Sequence, residues 1–223
     1  MTPHLVEFFG NLGFDGAWIE AEHGPVDYGD VGPYTRACDL WGMTSIVRVS
    51  LNRPGVIYRT LDQGAQGIVM PHVNTSDDAT ALVNATRFHP LGARGMAAGR
   101  QSQGVEGFFE AINDETLAVA LLEDVVAIEN LDEILKVENL DVFHVPSRDL
   151  GQSMGFLDDA TPREVLDVID DAIERIVAAG RVAGVRVNHG NAAAYVEKGA
   201  RFLTTPWEDW ATVGGREYLQ NLL

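Results

Sequence analysis

Polar and apolar positions along this chain follow two alternating periods. Short runs of apolar and β-branched residues, Gly16 to Glu22, Thr44 to Val49, Gly67 to His72, Leu117 to Glu123, Val142 to Ser147, Val182 to Asn188 and Phe202 to Thr205, predict strands. Between them lie stretches with apolar residues at helical spacing, among them Asp77 to Phe88, Ala127 to Val137, Thr161 to Ala179 and Ala192 to Lys198. Most of these end near glycine or proline, as helix stops do. A last helix is expected over Glu208 to Leu222. Strands that alternate with helices imply βα units on a parallel sheet, and their nearly continuous apolar character implies cover on both faces. Leu5 to Asn11 reads as a helix ahead of the first strand, so the pattern predicts a (β/α)8 TIM barrel lacking its usual first strand. A doubly wound open sheet is the other arrangement such alternation allows, but no G-x-G-x-x-G opens a helix after an early strand.

Composition narrows the picture. The 223 residues, 46% of them hydrophobic, suffice for one substantial core, and no linker rich in Pro, Gly or Ser interrupts them, which predicts a single domain over 1–223. No apolar run reaches the roughly 18 residues that cross a bilayer, and Met1 to Gly10 lacks the make-up of a signal peptide, so a soluble cytoplasmic protein is expected. The single cysteine, Cys38, falls within a helical pattern as a core residue, which excludes a disulfide framework. A formal charge of −17 repels phosphate backbones and anionic membrane surfaces, so neither nucleic acid nor a membrane is an expected partner. An anionic substrate then requires a buried arginine or a bound cation.

The ends of the strands carry both candidates. In "WIEAEHGPVDY" the strand alternation puts Trp18, Glu20 and Glu22 on one face, and His23 follows them at the exit. Arg48 stands at the end of "SIVRVS", as a member of a site or as a structural ion-pair partner. Glu123 ends "AVALLEDV", and "VFHVPSRDL" runs out into Asp149, about one βα repeat later, which predicts equivalent ends of adjacent strands. Strands lie about 4.8 Å apart, so two carboxylates placed there repel unless a proton or cation bridges them. A divalent Mg²⁺, Mn²⁺ or Co²⁺ suits such oxygen ligands; two solvated acids at loop starts are the other reading. The glycine-rich loop "HPLGARGMAAGRQSQG" places Arg94 either toward the strand-end site or on a surface lid. His72 and His144 read as structural histidines within strands, and His189 stands at another strand terminus.

Taken as a set, "EAEHGP", "IVRVS", "LDQGAQGIVMPHVN", "PLGARGM", "LLED" and "DLGQSMG" resemble the HpcH/HpaI aldolase family of metal-dependent pyruvate aldolases, from Leu5 to about Leu203. The resemblance implies a class II aldolase that joins pyruvate or a related 2-oxo acid to an aldehyde, with a divalent metal held by Glu123 and Asp149. It implies that His23 accepts the proton, that Arg48 stabilises the enolate, that Asp62 raises the basicity of the histidine, and that the backbone at Arg148 and Asp149 holds the pyruvate carboxylate. Glu20 and Glu22 are expected to orient the imidazole or its water. The family also implies a homo-oligomer, a trimer or a hexamer built from trimers with an exchanged C-terminal helix. The chain departs from the family at Leu121, where a glutamine usually contacts substrate, at Pro146-Ser147-Arg148-Asp149, where G-P-x-D is usual, and at Glu20, where aspartate is common. A carbon–carbon lyase acting on a CoA thioester, of the citrate lyase β-subunit type, and a barrel without catalysis that serves as a binding subunit are the alternatives.

Overall fold

Every strand begins where the pattern places it and leaves the ladder one or two residues early, because its last polar residues turn out into loops. The structure, a computed structural model, describes residues 1–157 and 161–222. Its strands are β1 (Gly16–Glu20), β2 (Thr44–Arg48), β3 (Gly67–Met70), β4 (Leu117–Leu121), β5 (Val142–Val145), β6 (Val182–Arg186) and β7 (Phe202–Thr204). Its helices are α1 (Pro3–Leu12), α2 (Tyr28–Leu40), α3 (Pro54–Asp62), α4 (Ser76–Thr86), α5 (Phe108–Glu115), α6 (Val125–Glu129), α7 (Leu131–Ile134), α8 (Ser147–Ser153), α9 (Arg163–Ala178), α10 (Ala192–Glu197) and α11 (Trp207–Gln220). The expected helix over Ala127 to Val137 is divided at Asn130, whose side-chain amide donates to the Asn74 carbonyl.

The strands form one parallel sheet in chain order, β1 to β7, with helices between them. Among the described residues β1 and β7 are not paired with each other, and the sheet curls into a nearly closed barrel with a seam between them. In a barrel of eight strands one further strand would stand at that seam. Local chemistry sets the entry of the helices: Asp27 with Asp30, and Thr75 with Asp78, form reciprocal capping boxes at the starts of α2 and α4.

Two apolar clusters separate the faces of the sheet. The larger packs outward-facing residues such as Ile19, Val47, Ile68 and Phe143 beneath the helices. The smaller fills the barrel with Ile46, Val69, Val119, Leu121 and Val142, flanked by Trp18, Leu117 and Phe202. β3 and β5 are buried along their whole length, as parallel strands covered on both faces must be. Cys38 lies in this core and burial pushes its thiol up to about 12.

The loop after α4 folds under the amino-terminal end of the barrel. Arg100 pairs with Asp39 ahead of β2, and the Gln101 amide donates to the Gly64 carbonyl ahead of β3. Arg87 donates to the Thr116 carbonyl just before β4. This corrects the expectation that Arg94 approaches the strand-end site: buried against the Phe88 ring, Arg94 donates to Asp62 Oδ1 at 2.9 Å on the opposite side of the barrel.

Candidate active site at the carboxyl end of the barrel

Parallel register alone brings the first polar pair together, since Glu20 on β1 stands opposite Arg48 on β2. Arg48 Nε donates to Glu20 Oε2 at 2.7 Å, and Nη1 lies 3.0 Å from Glu22 Oε2. The second oxygen of Glu20 accepts from the backbone N–H groups of Glu22 and His23, at 2.8 and 3.0 Å, and so holds the turn by which the chain leaves the strand. Burial by itself raises the Glu20 pKa, but the His23 N–H and the Arg48 guanidinium outweigh it and hold the carboxyl below its usual range. Both oxygens of Glu20 are engaged by Arg48 and the backbone, so in the protomer neither meets the His23 ring. Only Glu22 approaches the ring, 3.8 Å from His23 Nε2, and the His23 side chain is 70% exposed at the mouth.

A second cluster stands beyond β3, β4 and β5. Glu123 follows β4 and is almost fully buried, with Oε1 accepting from the backbone N–H of His72 at 2.8 Å. His72 takes a positive φ of 52°, which turns that N–H inward, and its Nδ1 lies 2.9 Å from Asp124 Oδ2. The contact with Asp124 raises the His72 pKa against the opposing effect of burial. Burial raises the Glu123 pKa, His72 opposes it, and the charges of Asp149 and Glu22 raise it further. The sequence reading treated His72 as an ordinary strand histidine and did not single out Asp124. The signal for both was the pair of polar residues that follows each apolar run, "PH" after β3 and "ED" after β4.

Asp149 is not at a strand end as expected: Ser147, Arg148 and Asp149 form the first turn of α8, because Pro146 stops the ladder and opens a helix. Backbone N–H groups in a first turn lack intrahelical partners, and no side chain caps these. They face an anion favourably. Leu121 ends β4 buried in the barrel and offers an apolar surface. Glu20, His23, Arg48, Leu121, Arg148 and Asp149 all line one cavity of about 1100 Å³, which continues toward the seam between β1 and β7.

Asp62 takes no part in this assembly within the protomer. It is the last residue of α3, and helices here run antiparallel to the strands, so its carboxylate emerges at the amino-terminal end beside Arg94. His189 lies exposed in the turn after β6.

The acidic side chains have the chemistry of a hard-cation site. A nearly dry Glu123 keeps one oxygen free of any hydrogen bond and feels the charges of Asp149 and Glu22. Glu22 Oε2 is likewise buried, its neighbours being Arg48 Nη1 at 3.0 Å and His23 Nε2 at 3.8 Å. Among the described residues no three His, Cys, Asp or Glu side chains converge to enclose a metal by themselves. Glu123 and Asp149 by themselves would leave most positions of a hard cation to water and substrate.

The sequence profile described as HpcH/HpaI aldolase/citrate lyase matches residues 1–207. The hydroxypyruvate/pyruvate aldolase of Roseovarius nubinhibens is 31% identical over 206 residues, which cover 90% of this chain and 80% of that protein. The 2-keto-3-deoxy-L-rhamnonate aldolase of Klebsiella pneumoniae is 33% identical over 207 residues, 91% and 78% of the two chains. The crystal structure of an HpcH/HpaI aldolase/citrate lyase family protein from Burkholderia cenocepacia superposes with a TM-score of 0.92 at 26% identity, covering 99% of this chain and 90% of that one.

Proposed function

This chain belongs to the HpcH/HpaI aldolase/citrate lyase family, and on that premise we propose that it catalyses reversible aldol addition and cleavage between pyruvate or a related 2-oxo acid and an aldehyde. The observation that carries the reading is the meeting of Arg48, braced by two carboxylates, with His23 and Asp149 in one cavity, beside a buried Glu123 that feels the charge of Asp149. Glu123 and Asp149 would hold a divalent Mg²⁺, Mn²⁺ or Co²⁺, which when bound polarises the 2-oxo group and offsets the charge of the acid.

The protein's own groups do the rest. Two nitrogens of Arg48 are fixed by Glu20 and Glu22, so the guanidinium is oriented before substrate arrives and its remaining N–H groups receive the keto oxygen as negative charge develops there. The first-turn N–H groups of Arg148 and Asp149 receive the carboxylate. His23 removes a proton from C3 of the acid and returns one to the aldehyde-derived oxygen, while Glu22 beside its Nε2 stabilises the imidazolium between those steps. Leu121 contributes apolar contact. Glu20 acts as a positioning residue that ties the His23 turn to Arg48. Asp62 would have to act across an oligomer to assist His23, because within one protomer it binds Arg94.

No helix among the described residues is long and apolar enough to cross a membrane, which is compatible with a cytoplasmic enzyme acting on small molecules. A homo-oligomer, a trimer or a hexamer built from trimers, is supported by α11, which has no buried residue in the protomer.

The test is exchange of the C3 protons of pyruvate in D₂O. Exchange should require Mg²⁺, Mn²⁺ or Co²⁺, stop on chelation, and be abolished by Glu123→Gln and by Asp149→Asn, since either change leaves a single carboxylate for a cation that needs several oxygens. Exchange that persists in both variants and in chelator would remove the metal from the reading; none with any 2-oxo acid or metal would remove the aldolase.

A further inference from the structure

Arg48 has a counterpart across the mouth of the barrel. β6 stands four strands from β2 in the curled sheet, so the ends of the two lie on opposite walls of the cavity. Arg186 is the last residue of β6 and follows by two residues Gly184, which packs on His144 inside the barrel. Strand alternation therefore turns Arg186 to the same inner face. Its pairing is loose: Nη2 reaches Asp209 Oδ2 of α11 only at 3.5 Å, and 33% of the side chain remains exposed.

Beside Arg186 the cavity opens into a recess of about 300 Å³. Ser147, Arg148, Thr161 and Arg186 line both spaces and so form the threshold between them. Asn188 and Asn191, in the turn after β6, line the recess as well. The oxygen of each amide is already taken: Asn191 Oδ1 accepts from the Asn188 N–H at 2.7 Å, and Asn188 Oδ1 from the Gly190 N–H at 2.8 Å. Their NH₂ groups are left as donors. Two guanidinium groups, two hydroxyls and two amides thus surround the recess, and Asp209 is the single acid among the described residues that line it.

Hydrogen-bond sense and charge name the ligand. Guanidinium groups only donate, and the amides have only donors left, so the recess suits an anion that accepts at several oxygens. A carboxylate has two such oxygens, whereas a phosphate monoester presents three and carries nearly two charges, which matches a pair of arginines. In (β/α)8 enzymes the loops after the last two strands commonly form a phosphate site, and β6 and β7 are the last two here. In the aldolase reading the 2-oxo acid leaves these groups unused, since its keto oxygen goes to Arg48 and its carboxylate to the α8 amides. The anion then belongs to the other substrate.

We propose that Arg186 and the Arg148 side chain form a phosphate subsite, so that the acceptor is an aldehyde with a terminal phosphate. The proposal rests on the aldolase reading above and assigns the acceptor within it. Arg186 takes no part in proton transfer, and no bond to phosphorus is made or broken; the subsite holds the end of the aldehyde remote from the new carbon–carbon bond. Asp209 competes with the phosphate for the guanidinium.

The test measures kcat/KM with pyruvate and Mg²⁺ or Mn²⁺ for three acceptors, D-glyceraldehyde 3-phosphate, D-glyceraldehyde and succinic semialdehyde, in the full chain and three variants. The wild type should favour the phosphorylated aldehyde over both others by about tenfold or more. Arg186→Gln should lower the ratio of phosphorylated to plain glyceraldehyde about tenfold to hundredfold, the scale of a hydrogen bond to a charged group, mainly through KM. Arg186→Lys should keep part of the ratio, because the charge remains while the planar fork is lost. Asp209→Asn should raise it, since the change removes a negative charge and releases the guanidinium; a merely structural pair of Arg186 with Asp209 gives no such gain. If Arg186→Gln fails to fold, the lysine and asparagine variants decide. A ratio in Arg186→Gln equal to wild type, a fall in Asp209→Asn, or a preference for succinic semialdehyde overturns the proposal, the last by making the recess a carboxylate site. Those results leave the aldolase reading standing where the wild type exchanges the C3 protons of pyruvate in D₂O; absence of that exchange removes both.

Discussion

Arg48 shows how a residue's surroundings decide its use. Its two carboxylate partners stand at different depths, one on the strand and one beyond it, so the guanidinium is held in a plane that a lysine could not reproduce. His144 shows the same principle without charge. Its pKa is held down to about 3 in the fold against an ordinary value near 6.5. Between those values the unfolded chain binds a proton that the folded chain does not. The stability contributed by the neutral ring is therefore complete above about pH 6.5 and is lost progressively as pH falls toward 3. In urea titrations the wild-type midpoint should decline more steeply between about pH 6.5 and 4.5 than that of His144→Phe, which has no such group. Parallel declines would mean that His144 is protonated or solvated in the folded state.

Among the elements, the strand starts and the long amphipathic helices were legible, because period-2 and period-3.6 patterns survive any arrangement in space. Strand ends were not, since Glu22, His72 and Glu123 continue the apolar runs in sequence while their backbones have already left the ladder. The loop after α4 was misread for a different reason. Glycine content signals conformational freedom but carries no direction, and only packing sends the segment under the barrel. At Gly92 a Cβ would lie 2.5 Å from the Arg87 carbonyl oxygen and 3.0 Å from that of Asn84, both backbone atoms that cannot turn aside. Gly92→Ala should cost about 1–3 kcal/mol of stability by crowding this bend. Because the bend lies at the end of the barrel away from Arg48, the turnover of the folded variant should match wild type. A large fall in kcat at unchanged stability would show that the amino-terminal end communicates with the site.

At the scale of the molecule, a chain of formal charge −17 gathers further carboxylates around the place where an anionic acid is to bind. Arg48, with the divalent cation proposed for Glu123 and Asp149, would reverse the field locally, which bulk charge does not reveal. The outer surface carries a second feature. Trp210 of α11 packs on Phe9 and Phe14, at 5.9 and 6.0 Å between rings, while Val213, Tyr218 and Leu219 further along the helix stand exposed. If this face is covered by another copy, Tyr218→Glu with Leu219→Glu should shift the sedimenting species to a smaller size, since glutamate keeps the helix and charges the face. An unchanged sedimentation coefficient would place the contact between copies elsewhere.

The sequence by itself determined the alternation of seven strands with helices, the parallel barrel, and the strand ends at which polar groups collect, because each is written in local periodicity and in residue type. It also carried the family, through motifs whose order and spacing survive substitution. The tertiary structure alone decided which groups face one another. Register set Glu20 against Arg48 and Leu121 beside His144. The antiparallel run of α3 carried Asp62 to the far end of the barrel, and a positive φ at His72 turned its N–H onto Glu123. Hydrogen bonds and desolvation act over a few ångströms between residues far apart in the chain, and no one-dimensional pattern records those distances.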